Sequence, residues 1–212
     1  MQVTAKLVKF VVLGALVASA SGCGEFTREG RAPVIVVVRS LLVARGDTPD
    51  ELVGNLLSDV QVMRTSPAPC TETSPCPTIF NDVAEVEMGL VAKDPGVPGI
   101  GSNPSFLNAV TITRYRVEYR RTDGRNTPGV DIPWAFDSGV TFTVPSDSVA
   151  TMGFEIVRHS AKQEAPLRAL VDNGNIISTI ARVTFWGHDQ AGNEVSAYAD
   201  VGVNFGNFAD PD

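Results

Sequence analysis

Residues 177–205 read ISTIARVTFWGHDQAGNEVSAYADVGVNF, and the pattern of this stretch decides the fold. Apolar and polar side chains alternate over 177–188 and again over 194–205, as they do along strands with one face buried. In the first run Ala181, Val183 and Phe185 share the inward face, while Arg182, Thr184, Trp186 and His188 point out. In the second, Val195, Ala197, Ala199, Val201 and Val203 turn inward and leave Ser196, Tyr198 and Asp200 outside. Between the runs, Asp189-Gln190-Ala191-Gly192-Asn193 supplies a glycine for positive φ and an aspartate able to cap a turn. The spacing predicts an antiparallel hairpin.

The same alternation recurs upstream. Over 110–121, Tyr115, Val117 and Tyr119 fall on one face and Arg114, Arg116, Glu118 and Arg120 on the other. Further β-branched runs cover 33–44, about 55–63, 82–93, 140–144 and 151–159, separated by Gly, Pro, Asn and Asp clusters. Residues 95–105 and 122–133 read as loops. A short helix is predicted over 165–171, with Pro166 at its first position and Asp172-Asn173-Gly174 at its end. There is no repeat of solenoid period, and the fold class is all-β.

Two segments resemble known families. ITRYRVEYRRTDG, residues 112–124, is similar to the third strand and following turn of fibronectin type III domains. VTFWGHDQAGNEVSAYADVGV, residues 183–203, resembles the last hairpin of bacterial Ig-like domains. The resemblance runs from about residue 111 to 205 and implies an Ig-like or fibronectin-like β-sandwich of about seven to nine strands, with these strands neighbours in one sheet.

At the N-terminus, MQVTAKLVKFVVLGALVASASGC places Lys6 and Lys9 before an apolar run over 10–20 that ends in small residues, the layout of a secretory signal. At about 1.5 Å per residue the run is too short to span a bilayer, which needs about twenty residues. Ala20-Ser21-Gly22-Cys23 resembles the bacterial lipobox, departing from it at Ala20, where leucine is usual. The resemblance implies a signal peptide over 1–22, lipid attachment at Cys23 and a tether over 23–32. One domain over 33–208 and a tail over 209–212 would follow. Gly24, in place of a retention-favouring aspartate, leans the expected location to the outer membrane of the cell envelope, facing the periplasm or the cell surface. Simple secretion after a small residue such as Ala20 is the alternative.

Removing residues 1–22 takes away Lys6, Lys9 and no acid, so the net charge moves from −7 to −9. Nucleic acid and anionic lipid are poor partners for such a chain. Cys70 and Cys76 sit in PAPCTETSPCPT, within a loop near 65–79, and in an oxidising compartment are expected to form a disulfide. The alternative, a metal site with the only histidines, His159 and His188, fits poorly, since zinc-binding cysteines usually lie about two to four residues apart. No metal and no cofactor are expected.

If the three strands are neighbours, their outward faces gather Arg114, Arg116, Arg120, Arg182, Trp186, His188 and Tyr198 in an otherwise acidic protein. Arg, Trp and Tyr dominate binding hot spots. The arginines also have acids to pair with, Glu118 and Asp200 or Glu85 and Glu87, which would leave Trp186 lying under their stems. No GxSxG, P-loop, HExxH, DxDxDG or CxxCH motif occurs, so the expectation is a non-enzymatic module. It would be held to the membrane by its lipid and act through an envelope protein partner. Two alternatives remain: a carbohydrate-binding or carbohydrate-active protein using Trp134 with Asp131 and Asp137, and a purely structural spacer.

Overall fold

The structure is a computed structural model that describes residues 30–94, 96–97, 100–101 and 104–208. Cys23 and the signal segment lie outside the described residues. Twelve strands are formed: β1 (Val34–Ala44), β2 (Asn55–Asp59), β3 (Val62–Arg64), β4 (Cys76–Thr78), β5 (Asp82–Ala92), β6 (Gly96–Val97), β7 (Ile100–Gly101), β8 (Val110–Arg120), β9 (Phe136–Val144), β10 (Ala150–Val157), β11 (Ile177–Asp189) and β12 (Glu194–Gly206). One helical turn, α1 (His159–Lys162), follows β10. No described helix is long and apolar enough to cross a membrane.

Two sheets carry the domain, a three-stranded one in the order β1-β5-β10 and a five-stranded one in the order β2-β12-β11-β8-β9. Their inner faces meet in one hydrophobic cluster. Phe154 of β10 packs edge-on against Tyr115 and Phe185 of the facing sheet, with ring centroids 4.9 and 5.5 Å apart. Such pairs are worth about 0.5–1.5 kcal/mol each beyond the area they bury. Both inward tyrosines of β8 keep their polar tips satisfied. Tyr115 donates to the Glu155 carbonyl at 3.2 Å and Tyr119 to the Ile156 carbonyl at 2.6 Å. The register of β10 against β5 slips between Glu155 and Val157, so Ile156 has no partner residue there. Burial keeps the Tyr119 phenol protonated well above its usual range.

The hairpin forms as its residues predict. Asp189 Oδ1 accepts the backbone N–H of Ala191 and Asn193 at 2.9 and 2.8 Å, and Gly192 takes φ +78°. A bulge lies where β8 meets β11, between Trp186 and Gly187. Gly187 is required there, because a Cβ would stand 2.1 Å from the Thr111 carbonyl oxygen.

Four expectations are corrected. Residues 55–63 form two strands, since β2 pairs with β12 while β3 leaves to pair with β4. Asp59 caps the bend between them by accepting the Gln61 N–H at 3.2 Å. The strand expected over 140–144 starts at Phe136, whose buried ring faces the core opposite Val117. The helix expected over 165–171 is a single 3-10 turn, Leu167–Leu170. Only Leu167 and Leu170 are buried in it, a spacing of three that a 3-10 turn places on one side. Finally, 95–105 is not wholly loop, because β6 and β7 pair within it.

Cys70 and Cys76 are joined in a disulfide with Cα atoms 5.3 Å apart. Close by in sequence, Asp82 opens β5 and forms a buried ion pair with Lys162 of α1, Nζ to Oδ2 2.8 Å, both side chains 1% exposed. Ser58 Oγ donates to the same carboxylate at 2.6 Å and the Gly46 N–H at 3.1 Å. One carboxylate thus ties a loop, β2, β5 and α1 together. Burial pushes the Asp82 carboxyl up, against the pull of the Lys162 ammonium and of those two hydrogen bonds.

Candidate binding surface

β11 lies between β8 and β12, so the outward residues of the three strands form rows across the five-stranded sheet. Arg114, Trp186 and Ser196 make one row, Arg116, Thr184 and Tyr198 the next, and Glu118, Arg182 and Asp200 a third. Asp137 of β9 extends the middle row beside Arg116. All the sequence-predicted residues of this face, Arg114, Arg116, Arg120, Arg182, Trp186, His188 and Tyr198, point away from the core.

Their charges are unequally committed. Arg116 is held by Asp137 at 2.6 Å and Glu118 at 3.1 Å. Arg182 makes a two-point contact with Asp200, both distances 2.8 Å, and lies 4.6 Å from the Tyr198 ring centroid. That contact, opposed by partial burial, holds the Asp200 carboxyl below its ordinary value. Glu85 and Glu87, weighed above as partners, belong to β5 in the other sheet, and Asp137 takes that role instead. Arg114 has no carboxylate partner among the described residues and instead stacks on Trp186, 4.3 Å from the ring centroid. Arg120 likewise forms no ion pair with a described residue and is exposed. His188 is exposed, its Nδ1 3.2 Å from the Asp189 carbonyl oxygen.

A groove of about 760 Å³ opens beside the Arg114–Trp186 pair. β2 covers β12 only over Gly202–Gly206, and β1 runs beside the remainder without pairing to it. The groove therefore has one strand edge on each wall, Val34, Ile35 and Val36 facing Glu194, Val195 and Ser196, with Lys93 also in its lining. A second cleft, about 510 Å³, continues along Trp186 towards His188.

Elsewhere, the residues weighed for sugar chemistry are engaged structurally. Asp131 accepts the Thr127 N–H at 3.1 Å and closes its own turn, and Asp137 is bound to Arg116. Trp134 is exposed and lies over Gly129. Among the described residues no group of three or more His, Cys, Asp or Glu comes together to hold a metal ion. Two features of the site were not foreseen from sequence: the Asp137 partner, hidden because the aspartate and glycine at 137 and 139 are poor strand formers, and the groove, which needs the relative placement of two sheets. Comparison of the chain with family models, curated proteins and solved structures found no match.

Proposed function

We propose that this chain is a lipid-anchored module of the cell envelope that binds a protein partner through the outer face of its five-stranded sheet and the adjoining groove. The observation that carries the reading is the Arg114–Trp186 stack at the mouth of the groove, an aromatic and a cation without a carboxylate partner among the described residues, both fixed on paired strands. Trp, Tyr and Arg are the side chains that dominate hot spots, and the stack on Trp186 already restricts Arg114 before any partner binds. Two open strand edges favour a polypeptide ligand, since an extended chain can pair with their backbone groups. The strand orders β1-β5-β10 and β9-β8-β11-β12 are compatible with an Ig-like or fibronectin-like arrangement. The anchor rests on the lipobox resemblance at Cys23.

Two measurements test this. Alkyne fatty-acid labelling should mark the wild type and not Cys23→Ala. Affinity capture from the native envelope should lose its partner in an Arg114→Gln, Trp186→Thr double variant with little loss of thermal stability, because truncating a hot spot costs about 2 kcal/mol of binding, about thirtyfold. Retention of every partner by a folded double variant overturns the surface assignment. Glycan binding abolished by Trp134→Ala would favour the carbohydrate alternative.

A further inference from the structure

The strand registers define two ends of the domain. Val34 lies opposite Ala92, Val110 opposite both Val144 and Asp189, and His188 opposite Glu194. The starts of β1, β8 and β12 therefore share one end with the finishes of β5, β9 and β11. Gly30 and Lys93 line the same groove as Glu194 and Val195, so the two sheets present this end together. Lys93 fastens the incoming chain there, its Nζ donating to the Gly30 carbonyl at 2.8 Å and its backbone N–H to that of Pro33 at 2.9 Å.

At this end stands a turn that exposes two large apolar side chains in succession, Phe106 80% and Leu107 61% exposed. The turn is not loosely held. Asn108 Oδ1 accepts the Ser105 N–H at 2.7 Å, the Asn108 N–H returns to the Ser105 carbonyl at 2.8 Å, and β8 begins immediately afterwards at Val110. The structure thus pins a Phe-Leu pair outward in water, where apolar surface is unfavourable. Gly30 is seven peptide steps from Cys23, a reach of at most about 24 Å when extended. A lipid on Cys23 would therefore hold this end of the domain within that reach of the bilayer, nearer to it than the opposite end.

We infer that Phe106 and Leu107 dock the domain on the lipid surface, inserting into the headgroup and upper acyl region and fixing which way the far end faces. This rests on the lipid-anchor reading given above. The recognised chemistry is apolar, in keeping with a mature charge of −9 that disfavours attraction to anionic lipid. Several acyl chains on one cysteine anchor stably by themselves, so the apolar contact beside them sets orientation rather than retention.

The test uses the acylated full mature chain in phosphatidylcholine vesicles. Cys23 is blocked by lipid and Cys70 and Cys76 by their disulfide, so Leu107→Cys offers one thiol for an environment-sensitive fluorophore. Val130→Cys is the matched control, also apolar and 67% exposed, in the loop beyond the opposite end of β8. The expected result is blue-shifted emission at 107, quenched by shallow spin-labelled lipid, with the label at 130 unshifted. Phe106→Asp should return the 107 signal to its aqueous value while flotation with vesicles persists. Flotation without a signal at 107, or equal signals at both sites, overturns docking and leaves the anchor standing. A mature chain whose mass shows no lipid and that does not float overturns the anchor reading, and docking with it.

Discussion

The two ends of this domain are closed by different means. At the end where β1 begins, two turns are capped by a side chain within a few residues, Asp189 over Ala191 and Asn193 before β12, and Asn108 over Ser105 before β8. At the opposite end one anchor draws together residues distant in sequence. Asp82 gathers Gly46, Ser58 and Lys162, and the Cys70–Cys76 disulfide closes its own loop beside the β3–β4 pair. The first kind of closure is robust because each cap depends on its own turn. The second is cooperative, because one carboxylate holds four segments, and it should fail as a unit.

The sharpest way to break this difference is Lys162→Ala, which leaves the Asp82 carboxylate buried without its cation and should cost about 3–5 kcal/mol in urea unfolding. Lys162→Met with Asp82→Leu should be less damaging than the sum of the single changes, though Ser58 and Gly46 then lose an acceptor. Purely additive losses would mean the two residues act independently. Next in size, replacing Cys70 and Cys76 by serine should cost about 2 kcal/mol on loop-closure entropy. Increased amide exchange should be confined to the β3–β4 end, and spread to the hairpin would contradict separate closure.

Smaller effects belong to the other end. Asp189→Asn should cost about 1 kcal/mol by weakening charge-assisted hydrogen bonds. It also tests a pH dependence. Burial pushes the Asp189 carboxyl up, but hydrogen bonds from Asn193 and Ala191 outweigh it and leave it below its ordinary value. Its contribution is therefore present above the unfolded value, about pH 3.9, and is lost as pH falls through the lower folded value. The melting temperature of the variant should decline less steeply than that of wild type below about pH 4, and parallel curves would refute the assignment. The least costly change is Arg182→Gln on the outer face, expected below about 1 kcal/mol because the Asp200 pair is solvent-exposed. A larger loss would make the arginine rows structural rather than available for binding.

Period-two patterning made the three strands of the outer face legible, because a residue's side of a strand follows from its parity alone. Parity also oriented every arginine of the proposed surface correctly. It could not choose their partners. Glu85 and Glu87 had the right charge but fall in the other sheet, whereas Asp137 was placed beside Arg116 by a strand in which the aspartate and glycine after Phe136 are poor strand formers. The helix expected after Pro166 is a single 3-10 turn, whose buried Leu167 and Leu170 are spaced by the three residues of such a turn.

What the sequence by itself determined is therefore local: the all-β pattern, the capped hairpin, the disulfide pair and the faces of its strands, all set by interactions among residues close along the chain. Tertiary structure decided what depends on residues far apart. Lys162 carries no sequence signal of burial, and it meets Asp82 only because α1 is folded against the start of β5. The groove beside Trp186 exists only because β1 and the first half of β12 approach without pairing. The exposure of Phe106 and Leu107 is equally tertiary, since the same two residues would belong in a core had the turn before β8 faced inward.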